Sequence, residues 1–185
     1  MQNYILEIRK FLQKPVCEKI LAYYEEDYQD AKITDTNSPV KKNIRNCEVV
    51  NLLESKRSFG KNLLLNYLQK ELFRAAEIYK SKSNYFSVKN INQIDLLRYN
   101  ANQHDAGYRF HVDQGTFAIE RVLSVSICLN NEFIGGEFVF DLEGKQVCYP
   151  QNVGDLIMFP SNFLFPHQVN KVQKGTRYAL ISWLV

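Results

Sequence analysis

Residues 108–113 read YRFHVD and place His111 and Asp113, two side chains able to ligate a metal ion, one residue apart. In a strand, positions i and i+2 project to one face, so these two would point together with Val112 opposite. Two ligands on one strand hold an ion from one edge only, so a third must come from elsewhere. The chain has 3 histidines, which keeps the search short. His104 sits in the loop-like run NQHDAG, and His167 sits in LFPHQV, a strand candidate. Two histidines and one carboxylate, with the remaining positions open, make the facial triad that suits non-haem Fe(II). The open positions leave room for a co-substrate and O₂.

Beyond His167 runs HQVNKVQKGTRYALISW, which reads as strand, polar turn, strand. A turn centred near Val172 would set Arg177 opposite His167, and opposed residues share a face. An arginine buried beside a metal keeps its charge and needs an anion. A planar guanidinium pairs bidentately with a carboxylate, and no acidic residue close in sequence offers one. A dicarboxylic co-substrate would. Alone, His-x-Asp is a common chance pattern, His167 an ordinary packed histidine and Arg177 a surface strand residue. Their combination is far more specific.

These side chains need a scaffold. From about Ile91 onward, short apolar or alternating runs are separated by turn signals: IDLLRY, YRFHVD, RVLSVSICL, GGEFVF, KQVCYP, GDLIMFP, LFPHQV and RYALISWLV. Regular short strands of this kind predict a sandwich or barrel. The first half reads helical. Pro15 suits the first turn of a helix that carries Val16, Ile20, Leu21 and Tyr24 on one face. A second helix, over about 61–80, shows an apolar stripe of Leu63, Leu64, Tyr67, Leu68, Leu72, Ala75 and Ile78. Helices followed by strands predict an α+β protein, a double-sheet β roll with helices packed on one side. At 185 residues the chain fits one domain. In this reading 1–90 is mainly helical support and 91–185 the core. The polar segment 30–46 between the helices is a plain surface loop or a lid over the site, and its Lys41, Lys42 and Arg45 would favour an acidic or backbone-rich partner.

Composition narrows the function. A formal charge of +3 gives no argument for nucleic acid. No stretch has the length and apolarity of a membrane span, and the N-terminal run carries charges that a signal peptide would lack. Cys17, Cys47, Cys128 and Cys148 form no CxxC pair, which disfavours a zinc knuckle and predicts a reduced, cytoplasmic protein.

At LLRYN, HVD, RVLSVSICLN, GGEFVF, GDLIMFP, PHQV and KGTRYALISW, the sequence resembles the Fe(II)- and 2-oxoglutarate-dependent dioxygenases, in particular the prolyl 4-hydroxylase-like branch. The motifs fall in the family order over about 96–183. The resemblance implies a double-stranded β-helix, the jelly-roll or cupin-like core, with supporting N-terminal helices. It implies that His111, Asp113 and His167 bind iron and that Arg177 holds the distal carboxylate of 2-oxoglutarate. Tyr99 matches a tyrosine that assists there, and Trp183 matches a co-substrate-pocket position or a plain core tryptophan. Gly135 and Gly136 would permit close backbone approach. Two departures stand out: Cys128 replaces a tyrosine common in relatives, and the stretch from Tyr99 to His111 is slightly long. The implied cofactors are Fe(II), 2-oxoglutarate and O₂, with ascorbate a further candidate. Asp113 argues for hydroxylation, because related halogenases carry a small residue there.

The resemblance makes a prolyl residue in a peptide or protein the leading substrate expectation. Hydroxylation of a free amino acid or small metabolite is the alternative, and a non-catalytic module that binds iron or 2-oxoglutarate is a third reading. Neither nucleic acid nor membrane is expected as a partner.

Overall fold

The computed structural model describes residues 1–31, 44–116 and 118–185. Four short strands lie in the half that reads as helical: β1 (Leu6–Ile8), β2 (Gln29–Asp30), β3 (Arg45–Asn46) and β4 (Glu48–Asn51). At two to four residues they are too short to show a period of two in sequence. The two predicted helices form as α1 (Lys14–Tyr24), with Pro15 in its first turn, and α2 (Phe59–Tyr79), which Ser58 caps by accepting from the Lys61 backbone N–H.

All eight predicted strands form: β5 (Ile91–Asn100), β6 (Gly107–His111), β7 (Leu123–Cys128), β9 (Phe138–Leu142), β10 (Lys145–Tyr149), β11 (Leu156–Pro160), β12 (His167–Val169) and β13 (Val172–Leu184). A short β8 (Phe133–Gly135) joins them. The pairings are antiparallel and make two sheets. An eight-stranded sheet runs β1-β11-β7-β13-β5-β4-β2, with β8 on β13, and a five-stranded sheet runs β10-β9-β12-β6-β3. The result is a jelly-roll-type core with two helices.

Strand parity explains the layers. Ile94 and Leu96 of β5, Leu123, Val125 and Ile127 of β7, and Leu180 and Leu184 of β13 share one apolar cluster with the helices. Residues of the opposite parity, among them Leu97 and Tyr99 of β5, join Phe138, Phe140 and Phe159 in the second cluster, between the sheets. Helix α2 contributes Leu64, Leu65, Leu68, Leu72, Ala75, Ala76 and Tyr79. Burying each leucine stabilises the fold by ~1.5–3 kcal/mol. The predicted stripe was drawn too wide on one side: Leu63, Tyr67 and Ile78 are exposed. Leu65, Ala76 and Tyr79 are buried in their place, because the seated face is centred on 68 and 72.

One predicted pairing does not form. His167 pairs with His111 and Phe140 in the five-stranded sheet, whereas Arg177 pairs with Tyr99 in the eight-stranded sheet. Asn170 and Lys171 carry the chain from one sheet to the other, so β12 and β13 face each other instead of forming a hairpin. Of the segment 30–46, residues 32–43, including Lys41 and Lys42, lie outside the described residues.

Candidate active site

A cavity of about 1330 Å³ opens between the sheets. Strand β6 delivers His111 to it, and β12 delivers His167 as the direct cross-strand partner of His111. Asp113 lies just beyond the end of β6, not within it, yet it turns to the same side as His111, while Val112 stands at the cavity rim with 36% exposure. The sequence parity therefore gives the right direction even though the strand has ended. Arg121 secures the bend by donating from Nη1 to the Asp113 carbonyl at 3.1 Å.

One ligand atom each from His111, Asp113 and His167 falls within 4.8 Å of the others. Nε2 of His111 and Nε2 of His167 each stand 3.6 Å from an Asp113 carboxylate oxygen. Each ring lies against a backbone carbonyl through Nδ1: His111 on Arg109 at 2.8 Å and His167 on Phe165 at 3.0 Å. With the proton on Nδ1, both Nε2 lone pairs face the centre, the arrangement in which histidine ligates a metal. Aromatic rings fix both imidazoles. Tyr108 stacks on His111 at 3.5 Å between centroids, and Phe138 stacks on His167 at 5.1 Å. Burial, reinforced by His111 and opposed by Asp113, lowers the His167 imidazole to about 4, so it is a neutral donor at ordinary pH. Burial works against the charge of Asp113, but the His167 and His111 rings outweigh it and hold the carboxyl below its usual range. Two imidazoles and one carboxylate fit Fe(II).

The remaining site candidates divide. Tyr99 is buried, lines the cavity, and has its phenol pushed upward by burial. Trp183 is 6% exposed and also lines the cavity, with the Arg121 guanidinium 3.7 Å from its ring centroid. Arg177 is 2% exposed and is the register partner of Tyr99, its guanidinium carbon 5.6 Å from that ring. As the register partner of Tyr99 it shares that residue's inward face, on the sheet across from the two imidazoles, although the cavity lining includes Tyr99 and stops short of Arg177. Its side-chain partner is the neutral Gln151, at 3.3 Å. Among the described residues no carboxylate lies within ion-pair distance of it. A Cβ at Gly136, where φ is +67°, would stand 2.8 Å from Cδ of Arg177, so the glycine makes room for this side chain. Cys128, in place of the tyrosine common in relatives, is buried, and Arg177 opposes the rise that burial imposes on its thiol. His104 stays outside the site, with a side chain 91% exposed and set against Asp105.

Sequence reading missed Asp95, Gln93 and Arg121, which line the cavity together with Arg45, the one described member of the loop cations that the sequence singled out. The signal for Asp95 was present: it shares strand parity with Tyr99, so an acidic side chain was aimed at the interior.

Comparison with known proteins follows the same lines. The family profile of the 2OG-Fe(II) oxygenase superfamily matches residues 94–185. A PKHD-type hydroxylase of Colwellia psychrerythraea is 33% identical over 84 residues, which is 42% of this chain and 37% of that protein. The 2-oxoglutarate and iron-dependent oxygenase domain-containing protein 3 of Rattus norvegicus is 34% identical over 110 residues, 58% of this chain and 33% of that one. The chain thus spans well under half the length of either relative. In three dimensions, a Trichoplax adhaerens prolyl hydroxylase, solved with a peptide fragment of hypoxia inducible factor, superposes with a TM-score of 0.74 at 19% identity, covering 98% of this chain and 83% of that one. A Pseudomonas putida prolyl-4-hydroxylase gives 0.73 at 18% identity, over 97% and 91%. The structural matches share the fold; the profile covers the strands that carry the triad, and by that match the chain belongs to the 2OG-Fe(II) oxygenase superfamily.

Proposed function

We propose that this chain is a dioxygenase in which His111, Asp113 and His167 hold Fe(II), and which hydroxylates a prolyl residue in a peptide or protein. The observation that carries the reading is the convergence of three ligand atoms within 4.8 Å, with both imidazoles presenting Nε2 inward. The superfamily works with Fe(II), 2-oxoglutarate and O₂. Together these supply the oxidation that replaces hydrogen on an unactivated carbon by hydroxyl, with succinate and CO₂ as co-products. The chain's own residues bind, orient and exclude water. Asp113 supplies the single negative charge of the ligand set. Tyr108 and Phe138 lock the two imidazole planes, and the aromatic packing behind His167 keeps that side of the site dry.

Arg177 is the anchor for the distal carboxylate of 2-oxoglutarate in this reading. The support is a buried guanidinium whose side-chain partner is a neutral amide, since a buried charge without a counter-charge is costly. Tyr99 touches the same co-substrate in this reading and Trp183 forms part of its surroundings, which the register of Tyr99 with Arg177 and the presence of both residues in the cavity lining support. The prolyl assignment rests on relatives: the Colwellia protein is a PKHD-type hydroxylase, and the superposed structures are prolyl hydroxylases. Residues 1–185 act as one domain, supported by an apolar cluster that joins both helices to the larger sheet. A cytoplasmic setting agrees with four unpaired cysteines. Among the described residues no helix is long and apolar enough to cross a membrane.

The test is oxygen-dependent succinate release from the iron-loaded protein, with and without a library of prolyl peptides, with products read by mass spectrometry. A mass gain of one oxygen on a peptide prolyl residue is expected. Iron binding without any succinate release would leave a binding module instead of an enzyme.

A further inference from the structure

The inward row of β5 runs Gln93, Asp95, Leu97, Tyr99, and all four line the cavity. Asp95 is 3% exposed. Its Oδ2 accepts from Nε2 of Gln93 at 2.8 Å, and its Oδ1 has no partner among the described residues. Gln93 cannot turn to serve both oxygens, because its own Oε1 accepts from Nη2 of Arg121 at 3.4 Å. The two nearby arginines direct most of their contacts elsewhere, and although Nε of each is buried without a partner among the described residues, neither reaches Oδ1 of Asp95. Arg121 packs over Trp183 at 3.7 Å and holds the Asp113 carbonyl, and Arg45 lies over the Tyr108 ring at 5.1 Å. Neither closes into an ion pair with Asp95 among the described residues. Glu54, the next carboxylate that Asp95 feels, lines the same cavity.

An ionised carboxylate only accepts, and a buried acceptor left bare is expensive. What completes it must donate, and a cationic donor does so most strongly. The co-substrate cannot serve. 2-Oxoglutarate is a dianion, and its proposed anchor Arg177 pairs with Tyr99, four residues along β5 from Asp95, which is roughly 13 Å at the rise of a strand. The open acceptor therefore belongs to the other ligand of this cavity. It is also tied to the metal loop, through Gln93, then Arg121, then the Asp113 carbonyl.

We propose that Asp95 is the anchor for an ammonium group on the primary substrate. This rests on the reading of the cavity as the place where that substrate is oxidised. The amine can belong to a free amino acid, to the first residue of a peptide or to a lysine-type side chain, and the arms of the test separate these sources.

Binding is measured by anaerobic titration calorimetry on the protein loaded with Fe(II) and 2-oxoglutarate, and succinate release is followed in parallel. The probes are the common L-amino acids, their amides and their N-acetyl amides, with L-proline, L-prolinamide and N-acetyl-L-prolinamide among them. A capped lysine–proline peptide and its norleucine counterpart complete the set. Amine-bearing probes should bind about ten- to a hundred-fold tighter than their acetylated forms, and Asp95→Asn should erase most of that preference while 2-oxoglutarate affinity stays at the wild-type value. Preference for the amide over the free amino acid points to a peptide N-terminus, and preference for lysine over norleucine to a side chain. The wild-type comparison stands even if the variant fails to fold. Equal binding of amine and acetylated probes to the wild type overturns the proposal, as does absence of binding by every amine-bearing probe. Capped prolyl peptides hydroxylated without regard to amines would sink the ammonium site and keep prolyl hydroxylation. Turnover confined to non-prolyl amines would do the reverse.

Discussion

The two inward walls of the roll are finished to different degrees. On the five-stranded side His111 and His167 each have Nδ1 satisfied by a backbone carbonyl and a ring stacked on an aromatic neighbour. Nε of Arg45, on β3 of the same sheet, is the one cavity-lining polar side-chain atom bare there among the described residues, whereas on the eight-stranded side Oδ1 of Asp95 and Oγ of Ser126 are buried without partners, and Arg177 meets a neutral amide. The protein holds the metal ligands in place before anything binds, while the facing wall leaves polar atoms for ligands to complete. Preorganising the ligand set spares reorganisation when the ion arrives. Leaving acceptors and donors open on the other wall makes ligand recognition selective, because the wrong ligand strands a buried polar group.

The largest test breaks the finished wall. His111→Ala, Asp113→Ala or His167→Ala should abolish turnover and weaken binding of Fe(II), or of Co(II) as a stand-in, on the order of a hundred-fold or more, read by titration calorimetry and succinate release. Wild-type succinate formation in any of the three removes that residue from the metal site. The next acts across the cavity. Arg177→Ala should weaken 2-oxoglutarate on the order of ten- to a hundred-fold for each charged hydrogen bond lost, each being worth ~1.5–3 kcal/mol, and should spare metal binding. Equal co-substrate affinity in the variant would take Arg177 out of the site.

Asp95 offers a sharper probe of the unfinished wall. Burial raises its carboxyl to about 6, with Gln93, Arg45 and Arg121 pulling it down and Glu54 pushing it up. A carboxyl whose folded pKa exceeds its unfolded value near 3.9 favours folding in its protonated form. That contribution is fully present below about pH 4 and is lost as the pH rises through about 6. The loss approaches ~3 kcal/mol at 1.36 kcal/mol per pKa unit. Asp95→Asn cannot titrate there, so the difference between wild-type and variant denaturation profiles should move in the variant's favour from pH 4 to pH 7 without added ligand. A flat difference would mean that water or the rest of the chain already satisfies the carboxylate.

The smallest effect compares two neighbours on β7. Ser124 shares a hydrogen bond of 2.8 Å with Ser161, whereas Oγ of Ser126 is bare. Ser124→Ala should cost about 1 kcal/mol and Ser126→Ala close to nothing in urea denaturation. Equal costs would show that Ser126 has a partner after all.

Much of this was legible in the residues themselves. The pairing of His111 with Asp113 needed only the two-residue period of a strand, and the direction held even though Asp113 lies past the strand end. His167 followed from the scarcity of histidines, and the eight later strands from alternation and turn residues. The short strands β1 to β4 were invisible because so few residues carry no period. The buried face of α2 was misjudged at Leu63, Tyr67 and Ile78, where apolar type and actual seating part company.

By itself, the sequence determined local direction: which side chains share a face, where the longer strands lie, and which types able to ligate a metal exist at all. Only the tertiary structure decided which faces meet. It placed Arg177 on the opposite sheet from His167, opened a cavity over Asp95 and Ser126, and tied Gln93 to Arg121. The reason is physical: strand parity repeats every two residues along the chain, but sheet membership depends on long-range pairing, which a turn such as Asn170–Lys171 can redirect with no change in local pattern.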